Sequence, residues 1–132
     1  MKYLEITSET NKLAERCLSI STLQINIKQD NPTTGDRLVV DADQRLEELI
    51  VSGELPGGEL IKIDGRTSLP VGYTILHKIA HLYSAVAVRD IRLGYIVVVS
   101  TNPKYHLGDL LDDNNEVVSR FCGGDTQERK AY

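Results

Sequence analysis

Residues 59–100 read ELIKIDGRTSLPVGYTILHKIAHLYSAVAVRDIRLGYIVVVS, and this stretch decides the fold. It opens on an aliphatic run, Leu60, Ile61 and Ile63 with Lys62 between, which predicts a strand over 59–64. Gly65-Arg66-Thr67-Ser68 breaks that run. Ser68 is a good helix cap, and Pro70 falls in the first helical turn, where a missing N–H costs nothing. Val71, Ile75, Leu76, Ile79 and Leu82 then recur at helical steps and predict a helix to about Tyr83. Two more aliphatic runs, Ala85-Val86-Ala87-Val88 and Ile96-Val97-Val98-Val99, predict strands over 84–89 and 95–100. The turn Asp90-Ile91-Arg92-Leu93-Gly94 between them is short enough for an antiparallel hairpin. The strand–helix–strand unit before it should be a right-handed parallel crossover. Strands apolar on both faces belong in the middle of a sheet.

Upstream, Val39, Ala42, Leu46, Leu49 and Ile50 mark a helix over 36–52, stopped by Gly53. Leu55-Pro56-Gly57-Gly58 is a forced turn, and residues 30–35 form another. Ile20, Leu23, Ile25 and Ile27 among polar residues predict a half-buried strand over 19–28. Residues 1–18 mix helix and strand signals; the alternation of Leu4 and Ile6 with Tyr3, Glu5 and Thr7 allows a short strand. Downstream of Leu111 the chain turns polar, with at most a short element over 116–121 and a mobile end. The expectation is one α/β domain over 1–112, a small mixed sheet with two main helices, and a polar tail over 113–132.

The 132-residue length suits one domain. With no Trp and one Phe, its core must be aliphatic. A net charge of -4 argues against coating duplex DNA, which needs a strongly basic face, but leaves room for a local basic pocket. Cys17 and Cys122 lack metal-ligand spacing; free thiols suit a reducing compartment, and a disulfide stays open. There is no leader-like start and no apolar run near the roughly 20 residues a membrane helix needs, so a cytoplasmic protein without a membrane partner is expected.

Three weak chemical signals share the decisive stretch. His77 and His81 lie four apart on the predicted helix, opposite its apolar stripe, with Thr74 and Ser84 nearby. They are either metal or acid–base groups lining a site, or solvated residues of a wet helix face. Asp90 and Arg92 occupy the hairpin turn. They are either a carboxylate and a guanidinium set for phosphate chemistry, or ordinary turn residues. Arg66, Thr67 and Ser68 enter a helix N-terminus that attracts phosphate, or form a plain connecting loop. Ser100, Thr101 and Asn102 end the last strand in the same ambiguous way. Both segments follow strands, and ligands of open α/β sheets bind at strand carboxyl ends, so the two are expected to converge. His81 and Ser84 belong nearer the opposite edge, so a complete site could require more than one copy.

The ordered runs 53–60, Lys62-Ile63-Asp64-Gly65, Ser68-Leu69-Pro70-Val71, His77-Lys78, Ala80-His81-Leu82-Tyr83, 87–94, Asn102-Pro103 and Leu107-Gly108-Asp109 resemble the CRISPR-associated ring nucleases of type III systems, in their cyanobacterial form. The resemblance is strong over somewhat under half the chain. It implies a CRISPR-associated Rossmann-like or ferredoxin-like fold. It also implies manganese-dependent cleavage of cyclic tetra-adenylate or another short oligoadenylate, and a homodimer that sandwiches the ligand with further dimers. Carried over by position, His81, Asp90 and Arg92 would be catalytic, with His81 and Asp90 holding Mn²⁺. Arg66, Thr67, Ser68, Ser84, Thr101 and Asn102 are the expected ligand-binding set. Ser84 lies where some members carry a second histidine, Asn102 stands for a histidine, and Ile91 for a proline. A non-catalytic sensor or sponge, a manganese-dependent RNA 3′-end exonuclease, and a regulator without nucleotide chemistry are the competing functions.

Overall fold

The computed structural model describes residues 4–13, 18–27 and 34–120. Its elements run β1 Leu4–Leu13, β2 Leu18–Ile27, α1 Gly35–Ser52, β3 Leu60–Gly65, α2 Leu69–Ile79, β4 Ala85–Asp90, β5 Gly94–Ser100, β6 Leu110–Leu111 and β7 Val117–Ser119. The strands form one mixed seven-stranded sheet in sequence order. β2, β3 and β4 are parallel, joined through α1 and α2; every other neighbouring pair is antiparallel. The expected α/β class, two main helices, parallel crossover unit and β4–β5 hairpin are all present. Two consecutive parallel crossovers follow the Rossmann-like pattern, not the antiparallel interleaving of a ferredoxin-like fold.

Both helices cover one face of the sheet. Leu38, Ala42, Leu46 and Leu49 of α1 and Val71, Ile75 and Ile79 of α2 pack on Leu4, Ile6, Leu23, Ile25, Ile61, Ile63 and Val86. Lys78 of α2 ties the helices together, 2.7 Å from Glu47 and 3.3 Å from Asp43 of α1. On the other face Tyr105, Leu111 and Val117 pack with Ile20, Leu60, Ala85, Ala87, Tyr95 and Val97. The core is aliphatic apart from tyrosines, as the composition requires.

Three local expectations need correction. α2 ends at Ile79, not near Tyr83. Tyr83 is pulled out of helical register because it bridges Gly58 and its hydroxyl lies 2.6 Å from that of Ser21 on β2. β1 is a full ten-residue strand rather than a short one, held in register with β2 along its whole length. Its second half, Ser8 to Leu13, carries too little hydrophobic alternation to announce a strand. The strand ending near Ser100 is not the last, because β6, Leu110–Leu111, pairs with it. The prediction of a short element over 116–121 is met by β7, whereas the mobile end lies outside the described residues, as do Cys17, Cys122 and most of the turn over 30–35.

Two contacts fix the ends of the sheet. Gly65 closes β3 at φ +125, and a Cβ there would lie 2.1 Å from the carbonyl oxygen of Ile25 on β2. Only glycine fits. Asp109 is fully buried and accepts from Arg120 Nε at 3.0 Å, from another guanidinium nitrogen of Arg120 at 2.8 Å, and from the His106 N–H at 2.8 Å. Burial pushes the Asp109 carboxyl up, but the Arg120 and His106 donors outweigh it and hold it below the usual carboxylate range.

Gly65→Ala should therefore lower the unfolding free energy by at least about 2 kcal/mol, read by urea denaturation, because strain and backbone collision combine. Asp109→Asn should cost about 3 kcal/mol near neutral pH. A depressed folded pKa stabilises above the unfolded value and loses that contribution as pH falls through the folded one. The gap between parent and Asp109→Asn in urea should thus narrow below about pH 4. A gap independent of pH would contradict this account of the pair.

Candidate functional site

β3 and β4 leave the sheet side by side. Their register pairs Ile63 with Val88, and just beyond it Arg89 lies 3.8 Å from Asp64, which also accepts from the Gln24 side chain at 3.2 Å. The loop Arg66-Thr67-Ser68 and the hairpin turn Ile91-Arg92-Leu93 therefore emerge at one end of the sheet. Ser68 is the N-cap of α2 but makes no side-chain capping bond. Asp90 Oδ1 accepts from the backbone N–H of Arg92 at 2.8 Å and of Leu93 at 3.0 Å. The carboxylate thus shapes its own turn, and Arg92 lies exposed at the tip it shapes. Three arginines, Arg66, Arg89 and Arg92, gather at this end, with Asp64 and Asp90 the nearby acids.

The second group assembles at the other end of β4. Ser84 donates through Oγ to the Glu59 carbonyl at 2.9 Å, and the Asn102 amide donates to Ser84 Oγ at 3.0 Å. The Thr101 N–H donates to the Ser84 carbonyl at 2.8 Å. Asn102 Oδ1 then accepts from the Lys104 N–H at 2.9 Å and turns the chain toward Tyr105. His81 is exposed in the turn ahead of Ser84, its ring edge-on to that of His77 at 5.9 Å. The Tyr105 hydroxyl and Glu59 Oε2 are buried without a hydrogen-bond partner among the described residues. Burial, with Glu59 and Glu116 adding to it, pushes the Tyr105 phenol up to about 12, so it remains a donor at neutral pH.

The expected convergence of Arg66, Thr67 and Ser68 with Thr101 and Asn102 is therefore wrong for a single chain. β5 runs antiparallel to β4, so its carboxyl end lies at the amino ends of β3 and β4. Thr101 and Asn102 join Ser84 and His81; Arg66, Thr67 and Ser68 join Asp90 and Arg92. The six residues of β4 span about 16 Å and separate His81 from Asp90. One chain does not bring these two together as metal ligands, and no group of three or more His, Cys, Asp or Glu among the described residues is placed to hold a metal.

Sequence reasoning missed two features of the Asp90 end. Arg89 was read only as the end of a strand, although its pairing with Asp64 adds a third cation; the parallel register was the missing signal. Leu69 and Tyr73, exposed on α2, border an apolar groove beside the Arg66 loop. Their separation by four residues placed them on one helix face without revealing that the face is exposed among the described residues.

No helix among the described residues is long and apolar enough to cross a membrane. No curated protein matches the chain significantly in sequence. The family model for CRISPR-associated protein (Cas_csx3) matches residues 34–112, from the start of α1 to just past β6. That span holds both polar clusters, and the chain belongs to this CRISPR-associated family.

Proposed function

We propose that this protein is a ring nuclease. It opens cyclic tetra-adenylate, the second messenger of type III CRISPR systems, and so switches off the antiviral signal. The observation that carries the proposal is the gathering of Arg66, Arg89 and Arg92 around the Gly65–Ser68 loop and the Asp90 turn at one end of the sheet. Family membership and the ordered resemblance supply the ligand class. The cationic end suits a compact anion, and the overall charge of -4 disfavours long RNA.

In the proposed reaction a ribose 2′-oxygen attacks the adjacent phosphorus. The new O–P bond forms as the bond to the 5′-oxygen breaks, giving a linear oligoadenylate with a 2′,3′-cyclic phosphate. Arg92, with Arg66, meets the phosphoryl oxygens as charge builds on them. His81 takes the 2′ proton or returns one to the 5′-oxygen. Because β4 holds His81 away from Asp90 and Arg92, the reacting set is completed between copies. The His81 end of one copy faces the Asp90 end of another, with the ring between them. His81 and Asp90 from different copies would hold manganese at such a junction, where its charge would help to steady the phosphoryl oxygens.

Asp90→Asn preserves the turn, since asparagine accepts the same backbone bonds. With cyclic tetra-adenylate and Mn²⁺, Asp90→Asn and His81→Ala should each cleave about 100-fold or more slowly than the parent. Mixed and co-refolded, the two variants should recover activity, because random pairing leaves about one junction in four with both groups intact. Parent-like rates in the single variants would sink the residue assignment. Inactive variants that never complement would sink the junction. Should the parent return the ring intact after long incubation, the protein binds the messenger without cutting it, a reading favoured by the separation of His81 from Asp90 within one chain.

A further inference from the structure

A groove of about 340 Å³ lies between the first half of α2 and the sheet, walled chiefly by Ile25, Ile63, Leu69, Tyr73, Val88 and Val98. Leu69 is 71% exposed and Tyr73 67% exposed, and Val88 and Val98 are exposed as well. Four large apolar side chains around one hollow exceed the scattered single residues normal on a surface. Gly65 and Gly72 line it too, and the missing side chain of Gly72 leaves room beside the groove. A Cβ on Gly72 would meet nothing closer than the Thr67 methyl at 3.6 Å. Hydroxyls enter the lining at one end, from Thr67 and Ser68, next to Arg66. The hairpin that carries Arg89 and Arg92 leaves the sheet at the same end, directly after Val88 of the lining.

A hollow that is apolar inside and opens toward cations matches a ligand that is flat and apolar at one end and anionic at the other. Its volume lies at the small end of ligand pockets, the scale of one nucleobase with its ribose and too small for a helix. We propose that the groove is the base subsite of the ligand site. One adenine lies in it against the Tyr73 ring, and the phosphate attached to its ribose reaches Arg66. This inference rests on the oligoadenylate reading above and adds the residues that recognise the base.

Gly72→Leu tests it with little risk to folding. Gly72 sits inside α2 with room for a Cβ, and leucine is the better helix former. Calorimetric titration compares linear tetra-adenylate with an abasic ribose–phosphate tetramer of equal charge, for the parent, Gly72→Leu, Tyr73→Ala and Tyr73→Phe. Thermal melts and sedimentation confirm fold and mass. The parent should bind the adenylate on the order of tenfold tighter than the abasic tetramer. Gly72→Leu and Tyr73→Ala should erase that preference while keeping abasic affinity, and Tyr73→Phe should retain it. If the parent shows the preference and Gly72→Leu keeps it, the base subsite is overturned and the ligand reading survives. If Gly72→Leu keeps the preference and changes the sedimenting mass, the groove is a subunit interface and the inference is again overturned. If the parent binds neither probe, the subsite falls, and if it also fails to bind cyclic tetra-adenylate, the ligand reading falls with it.

Discussion

Parallel hydrogen bonding between β3 and β4 constrains everything else in this molecule. It requires α2 to carry the chain back across the sheet, so α2 must begin where β3 ends and stop where β4 starts. The Arg66 loop and the Asp90 turn become neighbours for that reason, although more than twenty residues separate them along the chain. The same pairing places His81, which follows α2, at the far end of β4. The reversal at the Asp90 turn then returns β5 to His81's end of the sheet, delivering Thr101 and Asn102 there. Strand direction alone sorts the polar residues into two groups, and side-chain bonds such as Asn102 to Ser84 and Arg89 to Asp64 only refine the addresses.

Much of this was legible from patterning. The aliphatic runs of β3, β4 and β5 and the stripe of α1 are strong periodic signals, and burial follows them in β3, in the first half of β4 and over most of α1, whereas Val88 and Val98 stay exposed. What escaped notice depended on partners distant in sequence. Tyr83 leaves the helix because Gly58 and Ser21 hold it, and no local preference reports that. The polar half of β1 becomes a strand because β2 offers it an edge. Asp109 and Arg120 are eleven residues apart and look like surface charges in a polar region, yet one is fully buried and the other clips it. The site shows the same divide. The residue types were readable. Their grouping required knowing that β5 runs against β4.

Asp90 shows how one carboxylate can shape the turn that displays it. Its Oδ1 is engaged by two backbone donors of the turn, which fixes the orientation of the group and of the arginine two residues on. A side chain already held by its own backbone loses little freedom when a ligand arrives, and such preorganisation favours tight recognition of a charged group.

The strand order carries a meaning for how the chain becomes a protein. Every strand lies beside its predecessor, so each new piece docks on an edge that already exists, and no later segment has to thread between earlier ones. A sheet of this kind can grow outward as the chain leaves the ribosome, with short turns at the antiparallel steps and a helix-bearing crossover at each parallel one. Growth of that sort also leaves a live edge at every stage, open to strands of other chains. Among the described residues the β7 edge is only three residues long and the β1 edge ten, so of the two borders β7 offers the shorter template for further addition.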